Sequence, residues 1–148
     1  MIAEAIGHTL APSPFLSSAV IAAHLIGHAG SDAQRSRWLP KLADGSLIAA
    51  LAVDETAKHQ PHRITLGAQS APGGYRLTGA KTFVIDGHVA DLLLVVARTA
   101  GEPEDTQGVS VFAVPADAPG VTVERTVMVD AHNAARVTLE RISARPMA

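Results

Sequence analysis

Three groupings of residues in this chain have types and spacings that could support chemistry. His24 and His28 stand four apart in an apolar stretch, a separation that can present two imidazoles to one metal ion from a helix. No third ligand lies nearby in the sequence, and no HExxH glutamate follows the first histidine, so both read as half-exposed helix residues. His59 and His62 fall close to Asp54 and Glu55 in a loop that ends a strand, a denser set able in principle to hold a metal or exchange protons. Loops at strand ends also gather such residues without any chemistry. Gly74-Tyr75-Arg76-Leu77-Thr78-Gly79-Ala80-Lys81-Thr82 approaches a phosphate-binding loop, but one extra residue separates the second glycine from the lysine. It also lies between two β-rich runs where a strand-to-helix step is required, so it reads as a hairpin. GxGxxG and GxSxG are absent, and no spacing orders a Ser-His-Asp set.

The elements that must position these residues divide the chain near Gly45. Ser13-Pro14 offers a capping hydroxyl and an N1 proline ahead of an apolar stripe of Phe15, Leu16, Ala19, Val20, Ala23, Leu25 and Ile26, which predicts a helix over 14–28. Ser31 with Gln34 three residues on is a capping-box pattern that opens a second helix, with Trp38, Leu39 and Leu42 on its buried side. Pro40 lacks an amide donor and is expected to kink or restart that helix, and Asp44-Gly45 to close it. From Leu47 onward, turn signals separate short β-rich runs, predicting strands over 48–53, 64–69, 74–78, 81–85, 92–98, 110–115, 121–124 and 136–142. Pro72-Gly73-Gly74 and Thr78-Gly79 mark turns, and the stretch from Gly101 to Gly108 is a polar loop. The expected class is α+β: a short N-terminal helical segment followed by an antiparallel β-barrel or sandwich. No helical period recurs between the strands, which argues against a parallel, doubly wound sheet.

Composition narrows the functions further. With 12 basic and 14 acidic residues among 148, a net charge of -2 and no basic cluster, the chain is a poor nucleic-acid ligand. It has no cysteine, which excludes disulfides, thiol catalysis and thiolate metal sites and fits a cytoplasmic location. The most apolar segment, 15–26, is about half the roughly 20 residues of a spanning helix, so no membrane span is expected. On these grounds alone the reading stops at an α+β domain with no assembled active site.

The order of segments carries more. A helix pair ending in Gly30-Ser31-Asp32-Ala33-Gln34-Arg35-Ser36-Arg37-Trp38-Leu39-Pro40-Lys41-Leu42-Ala43-Asp44-Gly45 is followed at once by a strand from Ala49 to Glu55. Then come the Gly74 to Lys81 stretch, a strand from Thr82 to Asp86, an Ala90-Asp91 step into Leu92 to Arg98, a run from Gly108 to Pro115, and Pro119-Gly120-Val121. This succession resembles the acyl-CoA dehydrogenase family from about residue 11 to residue 146. The resemblance implies the end of that family's N-terminal helical domain over 1–46 and its middle β domain over 47–148, without the C-terminal helical domain. A start at Met1 in what corresponds to mid-domain sequence then suggests a truncated reading frame.

The family implies FAD as cofactor, an acyl-CoA thioester as substrate, and assembly into homo- or hetero-oligomers of dehydrogenase subunits. Its reaction removes an α proton and passes the β hydrogen to flavin N5 as hydride. Carried over by position, Ala52, Val53 and Asp54 at a strand end and Phe83, Val84 and Ile85 on a second strand would flank the isoalloxazine, with Phe83 as an apolar face and backbone amides at the ring's polar edge. The family's general base sits in the C-terminal domain, so no catalytic residue is assigned, Glu55 included, and the isolated chain is expected to be inactive. Two departures stand out. Asp54-Glu55-Thr56 and Lys58-His59-Gln60-Pro61-His62 replace a hydroxyl residue, a Glu-Pro pair and a small-residue turn. Phe83-Val84-Ile85 replaces a Trp-Ile-hydroxyl triplet, leaving no side-chain hydroxyl for flavin N5, and an anionic Asp54 would disfavour reduced, negatively charged flavin. Two other classes fit the same residues: a non-catalytic subunit of a hetero-oligomeric dehydrogenase, and a stand-alone β module binding acyl chains or a protein partner.

Overall fold

The computed structural model describes residues 2–129 and 132–147. Helix α1, Ile2–Thr9, buries none of its residues and lies outside the helices expected from the sequence. Helix α2 begins as a π-helical stretch, Phe15–Ala22, and continues as an α-helix over Ala23–Ala29, where Gly30 turns extended. Ser13 does not cap it; the chain enters through Pro14, whose carbonyl accepts the Ser18 N–H. In the π-helical stretch amides reach back five residues, as Ala23 does to Ser18, so the side chains drift out of the α-helical phase. The apolar stripe is displaced as a result. Ser17, Ser18, Ala22 and Ile26 face inward, whereas Leu16 and Val20 are 53% and 39% exposed.

Helix α3, Asp32–Ala43, starts at the expected capping box: Ser31 accepts the Gln34 N–H at 3.3 Å and donates its own N–H to Gln34 Oε1 at 2.9 Å. Contrary to the expected interruption, the helix runs through Pro40 to Ala43. Pro40 and Ser36 are both exposed, so the Ser36 carbonyl that loses its donor faces water and the cost stays small. Leu42 is buried on the face that also carries Trp38 and Leu39.

Among the described residues seven strands follow: β1 Ala49–Ala52, β2 Gly67–Ala71, β3 Gly74–Ile85, β4 Leu92–Arg98, β5 Val109–Pro115, β6 Val121–Thr126 and β7 Ala134–Ala144. They form one curled, mixed sheet in the path β1-β4-β2-β3-β7-β6, with β5 on the other edge of β4. Most neighbours are antiparallel, as expected, but β1 and β2 both run parallel to β4. A bridge from Phe112 to Pro146 and the Met147 N–H donated to the Val111 carbonyl draw the segment after β7 back onto β5. The hairpin expected at Thr78-Gly79 is absent. There β3 continues as one strand with a bulge in its pairing to β7, and the tight turn falls at Pro72-Gly73 between β2 and β3. Gly79 takes φ +145°, and an added Cβ would sit 3.0 Å from Leu66 Cγ, so this bulge needs glycine.

The β1–β4 pair is buried on both faces, and consecutive residues serve two cores. Ala50, Ala52, Leu93, Val95 and Ala97 face the interior of the curled sheet, with Leu77, Phe112, Val137 and Leu139. Ala49, Leu92 and Leu94 face the helices, against Ala22, Ile26, Leu42 and Met147. That double burial explains the unbroken apolar run of β4 and its tolerance of a parallel neighbour.

Candidate functional site

The site is built where β1 ends beside the second half of β3. Lys81 shares strand parity with Leu77, so alternation sends it into the core, where it has no solvent exposure. Its Nζ donates to Glu55 Oε1 at 2.7 Å and to the Val53 carbonyl at 2.9 Å. Glu55 in turn accepts from the Thr65 and Leu66 amides and from the Thr65 hydroxyl. One ion pair thereby ties the end of β1, the segment before β2, and β3 together. Burial alone would raise the Glu55 carboxyl, but hydrogen bonds from Lys81, Thr65 and Leu66 outweigh it and hold the group below its ordinary value of 4.5. Burial pulls the Lys81 ammonium below its ordinary 10.5, against the opposing pull of Glu55 and of the Asp54 charge.

Past Lys81 the pairing of β3 with β7 slips again, and Phe83 takes φ +49°, a rare conformation for a bulky residue. This second bulge re-aims the strand. Val84 returns to the core, while Phe83 and Ile85 stand out from the sheet, each 46% exposed. They line a cavity of about 180 Å³ with Leu51 of β1, Val53, Asp54 and His59 from the segment that follows it, and Ser17 and Ile21 of α2. Four of the six residues named from the sequence, Val53, Asp54, Phe83 and Ile85, therefore meet at one cavity, and Ala52 and Val84 lie in the core directly beside them. Asp54 has both oxygens occupied, by the Gln60 N–H at 3.1 Å and by His59 Nδ1 at 2.8 Å. The Ser17 hydroxyl donates to buried Asp86 at 2.6 Å and so is turned away from a ligand.

A second cavity, about 500 Å³ and chiefly apolar, opens on the other side of Ile85, lined by Ala3, Ile6, Phe15, Leu16, Met128 and Ala134 among others. Ile85 borders both.

Of the other groupings, His24 and His28 are exposed neighbours with ring centroids 5.3 Å apart, and among the described residues no three His, Asp or Glu side chains converge as a metal site. Gly74 to Thr82 is strand throughout and makes no phosphate cradle. His62 lies outside both cavities, and Glu55 is committed to its ion pair. Sequence reasoning did not single out Ser17 and Ile21, which come from a helix distant along the chain, or Leu51, which stands beside the named Ala52 on β1. Lys81 it placed at the head of the strand over 81–85 and gave no partner, although its inward parity in a β-rich run was a readable signal.

Comparison with known proteins identifies the fold. Residues 1–46 match the N-terminal domain and residues 49–142 the middle domain of acyl-CoA dehydrogenases. The chain belongs to the acyl-CoA dehydrogenase family. Acyl-CoA dehydrogenase FadE27 of Mycobacterium tuberculosis is 38% identical over 119 residues, which are 80% of this chain and 29% of that protein. The structure of the ChsE4-ChsE5 complex from Mycobacterium tuberculosis superposes with a TM-score of 0.81 at 33% identity, covering 97% of this chain and 37% of its counterpart. A glutaryl-CoA dehydrogenase from Mycobacterium smegmatis in complex with FADH2 gives 0.73 at 26% identity, covering 86% and 34% respectively. The chain thus spans well under half the length of the proteins it matches. No helix among the described residues is long and apolar enough to cross a membrane.

Proposed function

We propose that the chain forms one wall of the flavin site of an acyl-CoA dehydrogenase acting on an acyl-CoA thioester in the cytoplasm, with residues 1–46 ending its N-terminal helical domain and 47–148 forming its middle β domain. The observation that carries this reading is the meeting of Val53, Asp54, Phe83 and Ile85 at one cavity. A void of about 180 Å³ is below the roughly 300–1,000 Å³ of a whole ligand pocket, so it suits the edge of a ring whose face rests on exposed Phe83 and Ile85. The FADH2 in the related glutaryl-CoA dehydrogenase supports the same cofactor here. When bound, flavin supplies the acceptor for the hydride leaving the acyl β carbon.

The chain's own residues hold and orient. Phe83 and Ile85 give the ring an apolar contact that excludes water, and the strand backbone at Ala52 and Val84 fixes their spacing from Val53 and Asp54. Lys81 locks that strand end through the Val53 carbonyl. The apolar cavity beyond Ile85 is the place for the acyl portion, adjacent to the ring's edge.

Purified residues 1–148 are expected to quench FAD fluorescence saturably, and Phe83→Ala to weaken binding about tenfold through lost stacking and area. Emission unchanged by the native chain overturns the reading. Pairing with other dehydrogenase subunits belongs to it, supported by the likeness to a subunit of a two-component complex. A second reading, a subunit that keeps the fold without catalysis, draws support from a cavity whose one hydroxyl, Ser17, is bound to Asp86. Bleaching of bound flavin by an acyl-CoA in the assembled protein separates the two, since a non-catalytic subunit gives none.

A further inference from the structure

The cavity beside Phe83 is apolar over most of its wall and polar at one place. Its walls are apolar at Ile21, Leu51, Val53, Phe83 and Ile85, and its serine is committed to Asp86. What remains is Asp54 with His59. The Asp54 carboxylate is satisfied on both oxygens, so it offers a ligand no bare negative charge. Its contact with Nδ1 fixes the imidazole, because a carboxylate accepts only from the protonated nitrogen, and this leaves Nε2 as the nitrogen open to a ligand. His59 is 75% exposed at the side chain and Asp54 17%, which places the histidine at the mouth and its anchor in the wall.

We propose that His59, oriented by Asp54, is a flavin-binding residue of this site, contacting the polar edge of the ring through Nε2. The proposal rests on the flavin reading of the cavity. Around the pair the charged groups are the Lys81–Glu55 ion pair behind Asp54 and Lys58 beside His59; α2 contributes Ser17 and Ile21, and β3 Phe83 and Ile85. With Nδ1–H committed to Asp54, Nε2 carries the lone pair and accepts, so the imidazole is the group through which the cavity answers a ligand that presents an N–H donor at its polar edge. Asp54 acts through His59 and is a positioning residue.

The test is FAD titration of the 148-residue chain by fluorescence quenching, with His59→Ala, Asp54→Ala, the double variant, and Lys58→Ala as an exposed neighbouring control. His59→Ala is expected to weaken binding about tenfold, in line with the loss of one hydrogen bond to a polar or charged partner. Asp54→Ala should lose about as much, the double variant no more than His59→Ala, and Lys58→Ala nothing. Far-ultraviolet circular dichroism on each variant reports whether the fold is kept, as expected for a residue at the mouth. Native binding that His59→Ala leaves unchanged overturns the role of His59 while sparing the flavin reading. Additive losses in the double variant overturn the positioning role of Asp54. Failure of the native chain to bind FAD overturns the flavin reading, and this proposal with it.

Discussion

A lysine without solvent contact is retained only where its charge is answered, and Lys81 is answered chiefly by Glu55. Lys81→Met leaves that carboxylate in the wall without its cation, and urea unfolding is expected to show a loss of about 3 kcal/mol. Replacing both partners with apolar residues should recover most of it, because the desolvation cost disappears with the charges. A single variant as stable as the native chain would show the pair to be dispensable. The same pair sets the acid limit. Glu55 titrates below 4.5 in the folded chain, so its contribution is complete above that value and is lost as pH falls through the folded pKa. Lys81 is also shifted down, so the unfolded chain holds its proton to higher pH and stability does not fall as Lys81 deprotonates. Unfolding midpoints measured from pH 7 to pH 2 should therefore drop for the native chain and drop less for Glu55→Gln.

At the level of elements, the loop over 99–108 shows how one side chain replaces secondary structure. Arg98, buried at the end of β4, donates from Nε to the Ile64 carbonyl and from its two terminal nitrogens to the carbonyls of Ala100, Pro103, Asp105 and Gln107, at 2.9–3.1 Å. Composition alone marks this stretch as a polar loop; its order comes from a guanidinium fork whose five donors match five carbonyls. Lysine keeps the charge and loses the fork, so Arg98→Lys is expected to cost about 2 kcal/mol and to admit protease cleavage within 99–108. Resistance equal to the native chain would refute the account. The capping box at Ser31 was readable because it is local, satisfied within four residues. The hairpin expected at Thr78-Gly79 was not, since a glycine that permits a turn equally permits a bulge, and β7 decides between them.

On the scale of the whole molecule, α2 turns Leu16 and Val20 outward while its serines face the sheet, and Phe83 and Ile85 continue an apolar surface beyond it. Surface of this kind favours burial against another protein chain or domain. Light scattering after size exclusion should find the chain self-associated, and Leu16→Glu with Val20→Glu should shift it toward monomer. A native chain that is already monomeric at high concentration would remove the basis for this expectation. The two glutamates lie on the exposed side of α2, away from Ile26 and Ala22, so they should leave the fold intact.

Local rules determined much of this protein from its sequence alone: the capped α3, the run of β4, the polar loop after it, and the order of segments that places it in its family. They work because caps, turns and alternation are satisfied by residues close along the chain. Tertiary structure decided the rest. It set the phase of α2, where a π-helical stretch and contacts with β1 and Asp86 draw Ser17 and Ser18 inward. It made β1 and β2 parallel to β4, a pairing between strands more than twenty residues apart that no local pattern encodes. And it brought Val53, Asp54 and His59 against Phe83 and Ile85, because a bulge in β3, set by its register with β7, turns those two side chains out of the sheet toward the end of β1.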